Sequence, residues 1–272
     1  MEWVSSPAHP LAVNGQSLEY ACFGPPPDAA PTLILLHEGL GCTALWRDFP
    51  KALAAATGCG VLAYSRSGYG QSSPRDLPWP LDFMSRDATE TLPALLDVAG
   101  LEQVILFGHS DGATIAAICA GSIVDHRIRG LILEAPHFFT EPDGLAEIAR
   151  LAADYPSGDL RARLAKYHRD PDMAFRGWVE TWLDPGFRDW NVADVIDYIR
   201  VPVLAIQGKD DQFGSLAQIE EIETRCYAPV DTLILDECQH VPHHEAADAM
   251  IEAVTSFVAR LRRIEAAEVA VG

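Results

Sequence analysis

The segment Gly108-His109-Ser110-Asp111-Gly112 constrains this 272-residue chain more than any other. It follows Val104-Ile105-Leu106-Phe107, an apolar run that reads as a buried strand, and it precedes 113–120, which reads as a helix. G-x-S-x-G between a strand and a helix is the signature of a sharp turn that lifts a serine hydroxyl clear of the sheet. Glycine on both sides lets strand and helix approach closely, and the serine sits at a helix N-terminus beside a free backbone N–H. Ser110 is therefore the candidate nucleophile.

A serine hydroxyl is a weak nucleophile and needs a base within hydrogen-bond reach. The base in turn needs an acid to fix its tautomer. Two later loops supply such groups, each just past the end of an apolar run. Gly208-Lys209-Asp210-Asp211 follows Val203–Gln207, and Asp236-Glu237-Cys238-Gln239-His240 follows Thr232–Leu235. Further short apolar runs at 32–36, 60–64 and 131–134 read as buried parallel strands. Residues 11–20 read as a hairpin turning at Asn14-Gly15. Helical patterns fall at 81–99, 219–226 and 246–261. The alternation predicts an α/β architecture, a mostly parallel sheet with helices on both faces. Residues 140–199 break it: they carry no good strand signal and read as helices near 143–155, 158–168, 171–183 and 191–199. That is too long for a crossover, so the expected organisation is a core domain of 1–139 and 200–272 with a helical cap of 140–199.

With these residues in place, the chain resembles the α/β-hydrolase fold superfamily over essentially its whole length. The matching elements are His37-Glu38-Gly39-Leu40-Gly41, Ser65-Arg66-Ser67-Gly68-Tyr69-Gly70-Gln71-Ser72, the Ser110 turn, the Gly208 loop and the His240 loop. The resemblance implies a triad of Ser110, His240 as base and Asp211 as acid, with Asp210 and Glu134 as alternatives for the acid. His243 and His244 lie close to His240 and read as solvated or helix-capping groups, and His109 as structural. The backbone N–H of Asp111 is one expected oxyanion donor. By resemblance the other is that of Gly39. Glu38 stands where the pattern usually has glycine, which brings a carboxylate near the pocket, either pointing away in a structural role or contacting a substrate group. The Asp111 side chain reads as holding its own loop or touching substrate. Glu38, His137, Phe138, Trp178 and Trp182 are the candidate substrate-binding residues.

A serine nucleophile sets the chain apart from dehalogenases and epoxide hydrolases of the superfamily, which use aspartate there. The expectation is a serine hydrolase acting on a small acyl substrate, a carboxylic ester first. Lactone, thioester, amide or C–C bond cleavage, or a non-catalytic ligand receptor, are the alternatives. Nothing implies an organic cofactor or a metal: the six cysteines show neither C-x-x-C nor zinc-ligand spacing and read as reduced thiols. A net charge of −19 argues against nucleic acid and anionic membrane as partners. No signal-peptide or membrane-spanning pattern is evident, so the expected location is cytoplasmic, and a homo-oligomer is left open.

Overall fold

The computed structural model describes residues 1–5 and 9–271. A hairpin opens the chain: β1 (His9–Val13) and β2 (Gln16–Phe23) pair antiparallel with Val13 opposite Gln16. Asn14 and Gly15 at its tip take φ of 49° and 78°, as an Asn-Gly turn requires. Then come β3 (Thr32–Leu36), α1 (Phe49–Thr57) and β4 (Gly60–Tyr64). The pattern expected as one helix over 81–99 is divided into α2 (Phe83–Arg86), a π turn (Asp87–Thr91) and α3 (Leu92–Ala99). Pro93 lacks the N–H that a regular helix would return to Thr89, and the wider turn accommodates the loss.

The core continues with β5 (Val104–His109), α4 (Asp111–Ser122) and β6 (Ile128–Glu134). A helical stretch follows: α5 (Pro142–Asp154), α6 (Leu160–Leu164) and α7 (Pro171–Trp182), then 3-10 turns at Pro185–Phe187 and Ala193–Tyr198. The last elements are β7 (Val203–Gly208), α8 (Ala217–Arg225), β8 (Val230–Leu235), α9 (Pro242–Glu245) and α10 (Ala247–Val271).

The eight strands form one sheet in the order β1-β2-β4-β3-β5-β6-β7-β8. From β4 to β8 all neighbours are parallel, and the hairpin adds the antiparallel edge. Side chains alternate across it. Leu33, Leu35, Ile105 and Phe107 meet Phe49 and Leu53 of α1 and Met250, Val254 and Phe257 of α10. Ile34, Leu36 and Leu106 face the opposite layer, which holds α4 and the helices between β6 and β7. Every strand from β3 to β8 ends on the same edge, as parallel connections demand, so six loops gather there. No helix among the described residues is long and apolar enough to cross a membrane.

Candidate active site

The turn after β5 puts Ser110 at φ 54° and ψ −121°, a conformation non-glycine residues rarely adopt. Its neighbours explain how the fold imposes this. A methyl group on Gly108 would overlap the backbone of Gly112 and Ala113, and one on Gly112 would overlap the Leu36 carbonyl of β3. Strand and helix therefore meet at backbone contact distance and force the turn between them. The Ser110 N–H bonds the Glu134 carbonyl at 2.8 Å, fixing the turn against β6.

The loops after β7 and β8 bring the other two groups in. Ser110 Oγ donates to His240 Nε2 at 3.0 Å, and His240 Nδ1 donates to Asp211 Oδ2 at 2.8 Å. Asp211 also accepts from the Phe213 N–H at 2.8 Å and from Gln207 Nε2 at 2.7 Å. Burial works to raise its pKa, but the His240 ring and the Phe213 N–H outweigh it and hold the carboxyl below its ordinary range. An alcohol, an imidazole and a carboxylate thus form one hydrogen-bonded relay. The alternatives go elsewhere. Asp210 is exposed, and Glu134 is fully buried against His243, with Nδ1 2.8 Å from Oε1. His244 Nε2 lies 3.0 Å from the Leu45 carbonyl.

The loop after β3 faces the relay. The Glu38 carbonyl accepts from His37 Nδ1 at 2.7 Å, from Arg66 Nη2 at 3.0 Å and from the Gly41 N–H at 3.2 Å. In a trans peptide the N–H points opposite to the carbonyl, so the Gly39 N–H is turned away from these donors. His37 Nε2 accepts from the Arg66 N–H at 3.0 Å, which completes a neutral tautomer; burial and the neighbouring guanidinium hold its pKa well below normal. Arg66 is itself buried, donates through Nη1 to the His37 carbonyl, and lies 4.0 Å from Asp111 and 3.9 Å from Asp87. Sequence reasoning placed Arg66 only within a glycine-rich turn. Its role beneath this loop had no signal, because a lone arginine in a loop reads as exposed.

A cavity of about 300 Å³ opens over Ser110. Glu38, Gly39, Asp111, His137, Trp178 and Trp182 line it. Phe138 does not: it is fully buried with its N–H on Gln218 Oε1, and the next residue, Phe139, lines the cavity instead. Successive side chains of this extended segment point opposite ways, and the one-residue phase is not legible in the sequence. Leu145, Ile148 and Leu151 of α5 supply an aliphatic wall that sequence reasoning missed, although their spacing of three marks one helix face. The Trp178 indole Nε1 packs on Gly39, where any side chain would collide with it.

Two groups in the wall are conspicuous. Neither carboxylate oxygen of Asp111 has a hydrogen-bond partner, nor does the Trp182 indole N–H. Burial pushes the Asp111 carboxyl up to about 6, against the pull of the Arg66 guanidinium 4.0 Å away. His137 is driven the other way: burial and the adjacent His240 lower it to about 4, so the ring is neutral.

Comparisons with known proteins bear on the whole arrangement. A family model described as "Alpha/beta hydrolase family" matches residues 33–253. The chain is 33% identical over 215 residues to serine hydrolase BPHL of Mus musculus, an alignment spanning 74% of this chain and 69% of that protein. Among solved structures, the proline iminopeptidase of Mycobacterium smegmatis superposes with a TM-score of 0.73 at 18% identity, over 94% of this chain and 98% of that one. The enol-lactonase of Burkholderia xenovorans does so with a TM-score of 0.70 at 21% identity, over 93% and 100%. These two share the fold.

Proposed function

The chain belongs to the alpha/beta hydrolase family, and we propose that it is a serine hydrolase that cleaves a small acyl substrate, a carboxylic ester first. The observation that carries this reading is the unbroken Ser110–His240–Asp211 relay at the mouth of an apolar cavity.

Ser110 Oγ attacks the carbonyl carbon while His240 Nε2 takes its proton. Asp211 holds the ring in the tautomer that leaves Nε2 free to accept and stabilises the imidazolium that forms. Negative charge gathers on the carbonyl oxygen, and the N–H groups of Gly39 and Asp111 are the donors for it. Asp111 is the first residue of α4, so its N–H has no carbonyl one turn back. One such donor is worth about 2.7–4 kcal/mol in the transition state. His240 then protonates the departing alcohol, and water activated by the same ring releases the acid from Ser110.

We read residues 140–199 as the cap. Its α5 and α7 side chains, Leu145, Ile148, Trp178 and Trp182, leave an apolar slot suited to an alkyl or aryl group. The Asp111 carboxyl, 4.0 Å from Arg66 but without a hydrogen-bond partner, favours an acyl group that brings a donor, because a buried acceptor without one costs about 1–3 kcal/mol. The test is turnover of a panel of p-nitrophenyl esters by the wild type and by Ser110→Ala. Turnover that disappears in a folded Ser110→Ala protein supports the reading; turnover that survives refutes it.

A further inference from the structure

His109 sits where three loops meet. It is the second residue of the Ser110 turn and is fully buried. Its Nε2 donates to the carbonyl of His240 at 2.7 Å, and its Nδ1 lies 3.5 Å from Glu38 Oε2. Nε2 is thus hydrogen-bonded, while Nδ1 makes no hydrogen bond and meets Glu38 only at ion-pair distance. Burial opposes the charge, but the Glu134 and Glu38 carboxylates prevail and raise the pKa to about 9. The Glu38 carboxyl answers in kind and is held far below its ordinary range, despite its burial, chiefly by His109.

Glu38 is thus held at both ends. Its carbonyl is gripped by His37, Arg66 and the Gly41 N–H. Its side chain, only 27% exposed, folds over Gly41, where a methyl group would overlap it, and reaches His109 rather than solvent. Between these two anchors lies the peptide that carries the Gly39 N–H. Beyond His109, the hydrogen bond to the His240 carbonyl reaches the loop that carries the base.

We propose that Glu38 and His109 are a positioning pair that locks the Gly39 loop, the Ser110 turn and the His240 loop into one register. Neither side chain touches the reacting atoms. Their effect is exerted through the placement of the Gly39 N–H and the His240 ring. The pairing gives a reason for a carboxylate at a position that the resembled pattern gives to glycine: its oxygen lies 3.5 Å from the buried His109 ring.

The inference rests on the Ser110 reading, and the experiment separates the two. Steady-state kinetics with p-nitrophenyl acetate and butyrate are measured for wild type, Ser110→Ala, Glu38→Gln, Glu38→Asp, His109→Asn and the Glu38→Gln/His109→Asn double variant, with circular dichroism and Tm as checks of folding. Glu38→Gln keeps the shape and removes the charge. The expected result is a kcat lower by roughly 10- to 100-fold for both esters with KM changed by less than about threefold. Glu38→Asp, which retains the carboxylate, recovers part of the loss. The double variant is no worse than the poorer single one, as for residues that act as a unit. If His109→Asn does not fold, the two Glu38 variants carry the test. Activity retained in Ser110→Ala overturns both readings. With Ser110→Ala inactive, an unchanged kcat in Glu38→Gln overturns the pair alone. So does a KM that rises by different factors for the two esters, which would make Glu38 a substrate contact.

Discussion

Ser110 owes its place at the floor of the cavity to a backbone angle that most residues avoid. That strain, of order 1–3 kcal/mol, is borne by the packing of Gly108 and Gly112. The Gly-x-Ser-x-Gly spacing made it legible from sequence, because only that pattern allows the approach. The choice between Asp210 and Asp211 was not legible from residue type, since both lie in one loop. The fold decides it by turning Asp211 inward to His240 and leaving Asp210 exposed. Asp211→Asn is therefore expected to lower kcat by roughly four orders of magnitude through the wrong imidazole tautomer, while Asp210→Asn leaves it near wild type. Stopped-flow or steady-state ester kinetics checks this. Asp111 gives a second outcome. Its folded pKa of about 6 lies above its ordinary value near 3.9, so the folded state holds the proton more tightly. Stability then falls as pH rises through that interval, and the penalty persists above it. Asp111→Asn removes the ionised form and is expected to raise Tm at pH 7.5, with little change near pH 4. Scanning calorimetry at the two pH values reads the difference.

Helix α5 shows what a helical pattern reveals and what it hides. Its start, its end and its apolar face are visible in Leu145, Ile148 and Leu151. Which layer that face covers depends on where the loop from β6 delivers it, and spacing alone carries no such information. The large aromatics drew attention instead, and of these Trp178 and Trp182 do line the cavity, while Phe138 is turned into the core. A substitution on α5 reads directly on the slot. Ile148→Phe shortens it, and the expected result is a kcat/KM for hexanoate esters that falls at least about tenfold relative to acetate. Equal effects on both chain lengths would mean that α5 does not bound the acyl site. Gly39 against Trp178 is the matching constraint from the other side. Gly39→Ala drives a methyl group into the indole, so activity is expected to fall, and Trp178→Ala in the same chain should restore part of it. Activities of the two single variants and the pair measure the coupling.

Across the molecule, one parallel sheet does the assembling. Its common edge collects the ends of β3, β5, β6, β7 and β8, so residues far apart in sequence share one site without long-range design of each contact. That much followed from the alternation of apolar runs and helical patterns. The buried ion network of Glu38, His109, Glu134 and His243 did not, because charged residues in a sequence read as surface. It leaves a mark on global stability. His109 has a folded pKa of about 9 against an ordinary value near 6.5, so its contribution is complete below pH 6.5 or so and is lost as pH rises through about 9. Tm is expected to decline over that window, and the decline should be shallower in Glu38→Gln. The central claim is that Ser110 carries the acyl group between two half-reactions. Rapid mixing with a p-nitrophenyl ester, an acid quench and peptide mass spectrometry test it most directly. The account predicts one acyl group on the peptide bearing Ser110 and none in Ser110→Ala; turnover with no acylation of that peptide, or acylation at another residue, would contradict it.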